Sequence, residues 1–198
     1  MKIYTKAGDN LQTTTKIGKV YKSDLIIEIE GTLDEVETVL AVAKAKATNK
    51  KIHDLLNDLI KEMFNFGSDF LGYSKDTINS DSIKHLEDLI DLYQEKLPKT
   101  SKFIIPGENE ASAFIHLARV NVRKLERRIV EYAINNSVNS NLLSYINRLS
   151  DLLFVLARSV ELNVWWTNGC LVFSNCNNSN TNYLHRFKCY WFFKVFQT

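Results

Sequence analysis

Arg119, Arg123 and Arg127 are spaced by four residues, and Glu126 falls three residues after Arg123. At helical pitch such residues share a face, so three guanidinium groups project side by side and Glu126 can brace the middle one. Three cations so placed repel each other unless something negative lies between them. Two readings stay open: a basic face solvated by water, or a site for a carboxylate or polyphosphate, to which guanidinium offers paired hydrogen bonds. A second concentration of polar chemistry lies near the start, where Lys6, Lys16, Lys19 and Lys22 are interspersed with Gly8, Thr13, Thr14 and Thr15. Ammonium groups, hydroxyls and open backbone amides can wrap a phosphate chain. The spacing lacks a GxxxxGK[ST] pattern, which excludes a P-loop, and a mobile Lys/Thr-rich terminus is the commoner reading of such a segment.

Other chemistries find no support. A di-metal centre in a helical bundle needs inward Glu-x-x-His pairs, but Lys50, Ser82, Ala113 and Asn182 stand three residues before the four histidines. No Ser or Cys triad has its partners. His116, beside the arginine face, reads as a lone structural histidine. Cys170, Cys176, His185 and Cys189 could be collected into a zinc set, but their spacing fits no familiar finger and unpaired thiols are preferred. Three cysteines do not make a disulfide framework. With no signal pattern and no apolar run of bilayer length, a cytoplasmic protein is expected.

The elements that position these residues are helices. The chain has 198 residues, 45% apolar and 24% charged, with only 7 Gly and 2 Pro, so long uninterrupted elements are favoured. A net charge of +2 is too small to imply nucleic acid as the main partner. Residues 1–31 are not helical in pattern and read as a loop with a short extended piece near Ile3-Tyr4. Thr32 and Glu35 form a capping-box pattern, so a first helix is expected over 32–47 with Leu33, Val36, Leu40 and Ala43 inward. Further helices are expected over 51–71, 82–97, 110–135 and 141–162. The inward stripes are Ile52, Leu55, Leu59, Met63, Phe66 and Phe70 in the second; Ile83, Leu86, Ile90, Tyr93 and Leu97 in the third. Ile115, Ala118, Val122, Leu125 and Ile129 line the fourth, and Ile146, Leu149, Leu153, Leu156 and Val160 the fifth. Five amphipathic helices with short links predict an all-α, up-and-down five-helix bundle over 1–163. The tail, 164–198, has a polar low-complexity run and a densely aromatic end, and no periodicity extends through it.

Three segments resemble the PduO-type ATP:cob(I)alamin adenosyltransferases. They are YTKAGD at 4–9, GTLDE at 31–35, and FIIPGENEASAFIHLARVNVRKLERR at 103–128 with its continuation YINRLSDLLF at 145–154. The resemblance is collinear over roughly 3–158. It implies a five-helix bundle that assembles as a homotrimer with active sites between subunits. It implies transfer of the 5′-deoxyadenosyl group of ATP to the cobalt of cob(I)alamin, with release of triphosphate. ATP with Mg²⁺ and cobalamin are then the ligands, with no protein ligand foreseen for the metal. A cobalamin reductase or a B12-dependent enzyme is a further partner it allows.

By matching position, Thr5, Lys6, Gly8, Thr13, Thr14 and Lys22 belong to a nucleotide-binding loop within 1–31. Arg123, Glu126, Arg127 and Asn147 face ATP. Asp34 and Arg119 match a carboxylate–guanidinium pair that bridges subunits, and Phe103 matches an aromatic on the corrinoid side. Catalysis would rest on Arg123, Asn147, Asp34 and Arg119. The chain departs from the family at Asn10-Leu11-Gln12, where the loop is usually richer in Gly, at Glu37, where Asn is common, and at Lys124, where Arg is frequent. The tail matches nothing in the family. A competing reading of another class is a non-catalytic trimeric interaction protein or a decayed family member.

Overall fold

The computed structural model describes residues 2–4, 6, 8–99 and 103–162, and the backbone of 164–167 and 170–173. Its first unit, Met1–Leu162, is a helical bundle preceded by a small hairpin. Strands β1 (Gln12–Thr15) and β2 (Gly18–Tyr21) pair antiparallel, with Thr13 opposite Val20 and Thr14 opposite Lys19. The hairpin replaces the loop expected there, and helix α1 (Leu25–Lys46) begins well before residue 32. Ile26 and Ile29 extend the buried stripe of Leu33, Val36, Leu40 and Ala43 backwards, and that burial outweighs the local capping signal. Thr32 is therefore buried mid-helix, its hydroxyl donating 2.7 Å to the Glu28 carbonyl, and the cap is Asp24.

Helices α2 (Lys50–Phe70), α3 (Ser80–Gln94), α4 (Glu110–Ala133) and α5 (Ser140–Glu161) follow, each preceded by an asparagine that accepts backbone N–H bonds at its start. Asn79 and Ser82 complete a reciprocal capping box on α3. Gly72, at φ +77°, takes the left-handed turn after α2. There the amides of Gly72 and Tyr73 return to the carbonyls of Asp69 and Ser68 at 3.0 and 2.7 Å, a Schellman closure. The tip of the hairpin is pinned to this turn: the Lys16 ammonium donates to the Gly72 carbonyl and lies 5.6 Å from the Tyr73 ring centre.

Cross-helix pairs give the helix directions. Glu28, Glu35 and Lys46 of α1 meet Arg128, Lys124 and Glu110 of α4, so these two run antiparallel. Asn147 meets Glu126 and Glu161 meets Ser112, so α5 is antiparallel to α4. Glu87 and Pro98 meet Arg148 and Arg158, so α3 runs with α5. The order is up-and-down, with α4 between α1 and α5. The predicted stripes of α4 and α5 are buried throughout, at roughly 1.5–3 kcal/mol for each large side chain. On α2, Leu56 and Gly67 are buried where Leu55 and Phe70 were expected, a small rotation of the stripe, and Gly67 lets the Leu33 methyl come within 3.5 Å of its would-be Cβ. Helix α3 is peripheral and buries only Leu86.

The second unit, Asn163–Thr198, contains strands β3 (Val164–Thr167) and β4 (Cys170–Phe173), paired antiparallel. They stand where no regular structure was expected. Cys176, His185 and Cys189 of the zinc alternative, and the aromatic end, lie outside the described residues.

Candidate functional site

Helix α4 sorts its cations into two groups. Lys124 is 3.0 Å from Glu35, and Arg128 is 3.7 Å from Glu28 and 3.0 Å from Glu131, so both are neutralised within the chain. Arg123 and Arg127 are exposed and have no carboxylate partner among the described residues. Arg119 is half-buried, and its Nε is fully buried with no acceptor. Burial, then the charge of Arg123, pulls its pKa below the usual range. Glu126 does not brace Arg123 as the spacing predicted. Its Oε1 instead accepts from Asn147 Nδ2 at 2.9 Å, because antiparallel α5 presents the amide directly opposite. Arg148 then donates 2.7 Å to Asn147 Oδ1 and 2.9 Å to Glu87 Oε1. The result is an unpaired cationic row flanked by a polar chain, an arrangement that can receive a polyanion.

The N-terminal segment supplies its groups at the opposite end of the bundle from the start of α4. Lys6 and Leu11 sit at φ 61° and 65°, in the left-handed region. Leu11 is thus in a conformation that glycine adopts freely and a leucine adopts at roughly 1–2 kcal/mol. The Lys22 ammonium lies 3.0 Å from where a Cβ on Gly8 would be, so Gly8 leaves room for it. Thr14 is exposed and Thr13 half-buried on successive positions of β1. Thr5 lies outside the described residues. No hydrogen bond or ion pair joins this segment to Arg123, Arg127 or Asn147 among the described residues; Thr13 and Thr14 instead line a small pocket with Glu30, Phe70 and Tyr132.

At the other end, an open cleft of about 1050 Å³ is lined by α3, α5 and the segment before α4, including Leu97, Phe103, Asp151, Phe154 and Arg158. Phe103 is fully exposed, a phenyl with nothing packed on it. Phe154 was not singled out by the sequence reading, although it closes the YINRLSDLLF block. Arg119 and Arg158 lie 5.8 and 5.9 Å from its ring centre, and His116 meets it edge-on at 6.3 Å. Behind it His116 and Glu161 are both buried, 3.4 Å apart, with Ser112 donating 3.2 Å to the same carboxylate oxygen. Burial pushes the His116 imidazole below its usual pKa, so it is neutral and structural near pH 7. The cleft and the arginine row are therefore contiguous through Arg119 and Phe154.

Asp34 is exposed on α1 and has no cationic partner among the described residues; it does not meet Arg119 of its own chain. Glu37, one turn on, is half-buried, and burial together with the Asp34 charge raises its pKa from 4.5 to about 7. Among the described residues no group of three or more His, Cys, Asp or Glu could hold a metal ion, and no helix is long and apolar enough to cross a membrane.

An antiparallel helical bundle with an unneutralised arginine row beside an aromatic cleft can receive an anionic ligand next to a flat or apolar one. The chain belongs to the cobalamin adenosyltransferase family, whose sequence pattern it matches over residues 3–160. It is 33% identical to the corrinoid adenosyltransferase of Bacillus subtilis (strain 168) over 193 residues, covering 91% of this chain and all of that one. It is 37% identical over 168 residues to the corrinoid adenosyltransferase PduO of Citrobacter freundii, covering 81% of this chain and half of that longer one. The fold is similar to that of a variant PduO-type ATP:corrinoid adenosyltransferase from Lactobacillus reuteri complexed with cobalamin and ATP, with a TM-score of 0.76 at 29% identity over 81% of this chain and 91% of that one.

Proposed function

We propose that the protein is a corrinoid adenosyltransferase, transferring the 5′-deoxyadenosyl group of ATP to the cobalt of cob(I)alamin. In that step the cobalt electron pair forms the bond to C5′, the C5′–O bond breaks, and triphosphate leaves with the bonding pair. Cobalt supplies the nucleophile, so the protein's share is positioning and charge stabilisation. The unpaired row of Arg119, Arg123 and Arg127 carries the reading, because every neighbouring cation on α4 is already neutralised. Arg123 and Arg127 act on the triphosphate, whose charge grows as it leaves. Glu126 only accepts hydrogen bonds, so it takes a hydroxyl or amino hydrogen of the nucleoside rather than a phosphate. Lys6, Gly8, Thr13, Thr14, Lys22 and Thr5 cover the nucleotide, Mg²⁺ accompanies the phosphates, and Phe103 works on the corrinoid.

Among the described residues neither the N-terminal groups nor the exposed Asp34 bonds to the α4 row of its own chain, which supports a site shared between subunits, with Asp34 of one copy meeting the Arg119 row of the next in a homotrimer. The test is anaerobic incubation with chemically reduced cobalamin, ATP and magnesium. The spectrum of adenosylcobalamin and one triphosphate per turnover are expected. Folded protein that yields neither would sink the reading.

A further inference from the structure

The chain Glu87–Arg148–Asn147–Glu126 crosses three helices, and the chemistry of its ends dictates the state of its middle. A carboxylate only accepts hydrogen bonds and a guanidinium only donates them. Asn147 lies between one of each, 2.9 Å from Glu126 Oε1 and 2.7 Å from Arg148 Nη1. Its amide can satisfy both only with the amino group toward Glu126 and the carbonyl toward Arg148. The reverse orientation would set two acceptors and two donors against each other. Arg148 is held in turn by its Nε, which donates 2.9 Å to Glu87 on α3. The planar fork matters here, because one lysine could not bridge both partners in fixed geometry.

From this geometry we infer that Glu87 and Arg148 are positioning residues for the nucleotide face, locking Asn147 so that its remaining Nδ2–H is presented to ATP as a donor. Accepting a charged hydrogen bond at the carbonyl also polarises the amide and strengthens that donor. Asn147 therefore recognises an acceptor atom of the nucleotide, a phosphate, ribose or purine lone pair. Glu87 touches no ligand; it acts two residues away. The inference rests on the reading of Asn147 as a nucleotide contact.

The Glu87–Arg148 pair is close to half exposed on both sides, so it adds little to stability, and Glu87→Ala should leave the melting temperature nearly unchanged. The experiment is calorimetric titration of ATP with magnesium into the intact protein and its Glu87→Ala, Glu87→Gln, Asn147→Ala and Glu87→Ala/Asn147→Ala variants. Glu87→Ala should weaken ATP about fivefold, the size of one lost hydrogen bond, and Glu87→Gln should restore it by keeping an acceptor for Arg148. Added to Asn147→Ala, the Glu87 change should have no further effect, since the residue it acts through is gone. An equal loss in both backgrounds, unchanged affinity in Glu87→Ala, or no rescue by Gln overturns the positioning role alone. Unchanged affinity in Asn147→Ala overturns the nucleotide reading of this face with it.

Discussion

The guanidinium carbon of Arg119 lies 5.8 Å from the ring centre of Phe154, while its Nε is buried with no acceptor. One side of this cation is thus served by an aromatic ring, and its buried Nε has no acceptor among the described residues. Phe154 also lines the cleft that holds Phe103. The same arginine therefore ends the cationic row and borders the aromatic cleft, so a change there should be felt on both substrates.

If Asp34 of a neighbouring copy pairs with the accessible part of the Arg119 guanidinium, Arg119→Ala leaves that carboxylate unpaired at an interface, which costs roughly 3–5 kcal/mol where the pair is buried. Activity should fall at least tenfold and the trimer should loosen, measured by light scattering after size exclusion. Exchanging the charges in Asp34→Arg/Arg119→Asp should recover assembly better than either single change. A fully active Arg119→Ala, or a monomer at working concentration, contradicts the shared site.

Arg123 and Phe103 should separate the two substrates. Arg123→Ala removes a charge-assisted contact and should weaken ATP binding roughly 10- to 100-fold even when pre-reduced cob(I)alamin is supplied. Phe103→Ala should leave ATP binding within about twofold, while corrinoid binding, read from the change in the cobalamin spectrum, weakens. Loss of ATP binding with retained corrinoid binding in Phe103→Ala would reverse the assignment.

Glu37 should make stability fall with rising pH. Its carboxyl binds a proton more tightly in the folded chain, where its pKa is about 7, than in the unfolded one, at about 4.5. The contribution is fully present below about pH 4.5 and is lost as pH rises through about 7. The group is only half-buried, so screening holds the effect to about 1 kcal/mol. Chemical denaturation of Glu37→Gln between pH 5 and 8 should show this segment of the pH dependence flattened; an unchanged profile assigns the slope to other groups.

Tyr145 tests the core under the site. Its hydroxyl donates 2.6 Å to Glu62, its ring packs 5.9 Å from Phe66, and it is fully buried. Tyr145→Phe strands a half-buried carboxylate and should cost about 1–2 kcal/mol, a drop of about 3–6 °C in melting temperature. Tyr145→Ala adds a cavity and should cost about 3–5 kcal/mol. A Phe variant as stable as the parent would show that water replaces the hydroxyl at Glu62.

Periodicity alone determined much of this protein. The stripe from Ile115 to Ile129 and that from Ile146 to Val160 repeat at helical pitch over many residues, so few other structures could bury them. The arginine row shares that legibility, since residues four apart on a long helix must lie on one face. Local signals were weaker where burial competed with them. The Thr32–Glu35 capping pattern yielded to Ile26 and Ile29, and the Lys/Thr segment closed into a hairpin because Gly18, at φ +122°, lets the chain turn back after Lys16-Ile17. Only the tertiary structure could decide who meets whom across helices. Glu126 was free by spacing to hold Arg123, yet the antiparallel approach of α5 gave it Asn147. Arg123, Arg127 and Lys124 are all cations of one helix, and what divides them is that Glu35 on α1 lies 3.0 Å from Lys124 alone. A sequence fixes which residues share a helical face; which charges remain unanswered depends on the neighbours that packing brings against it.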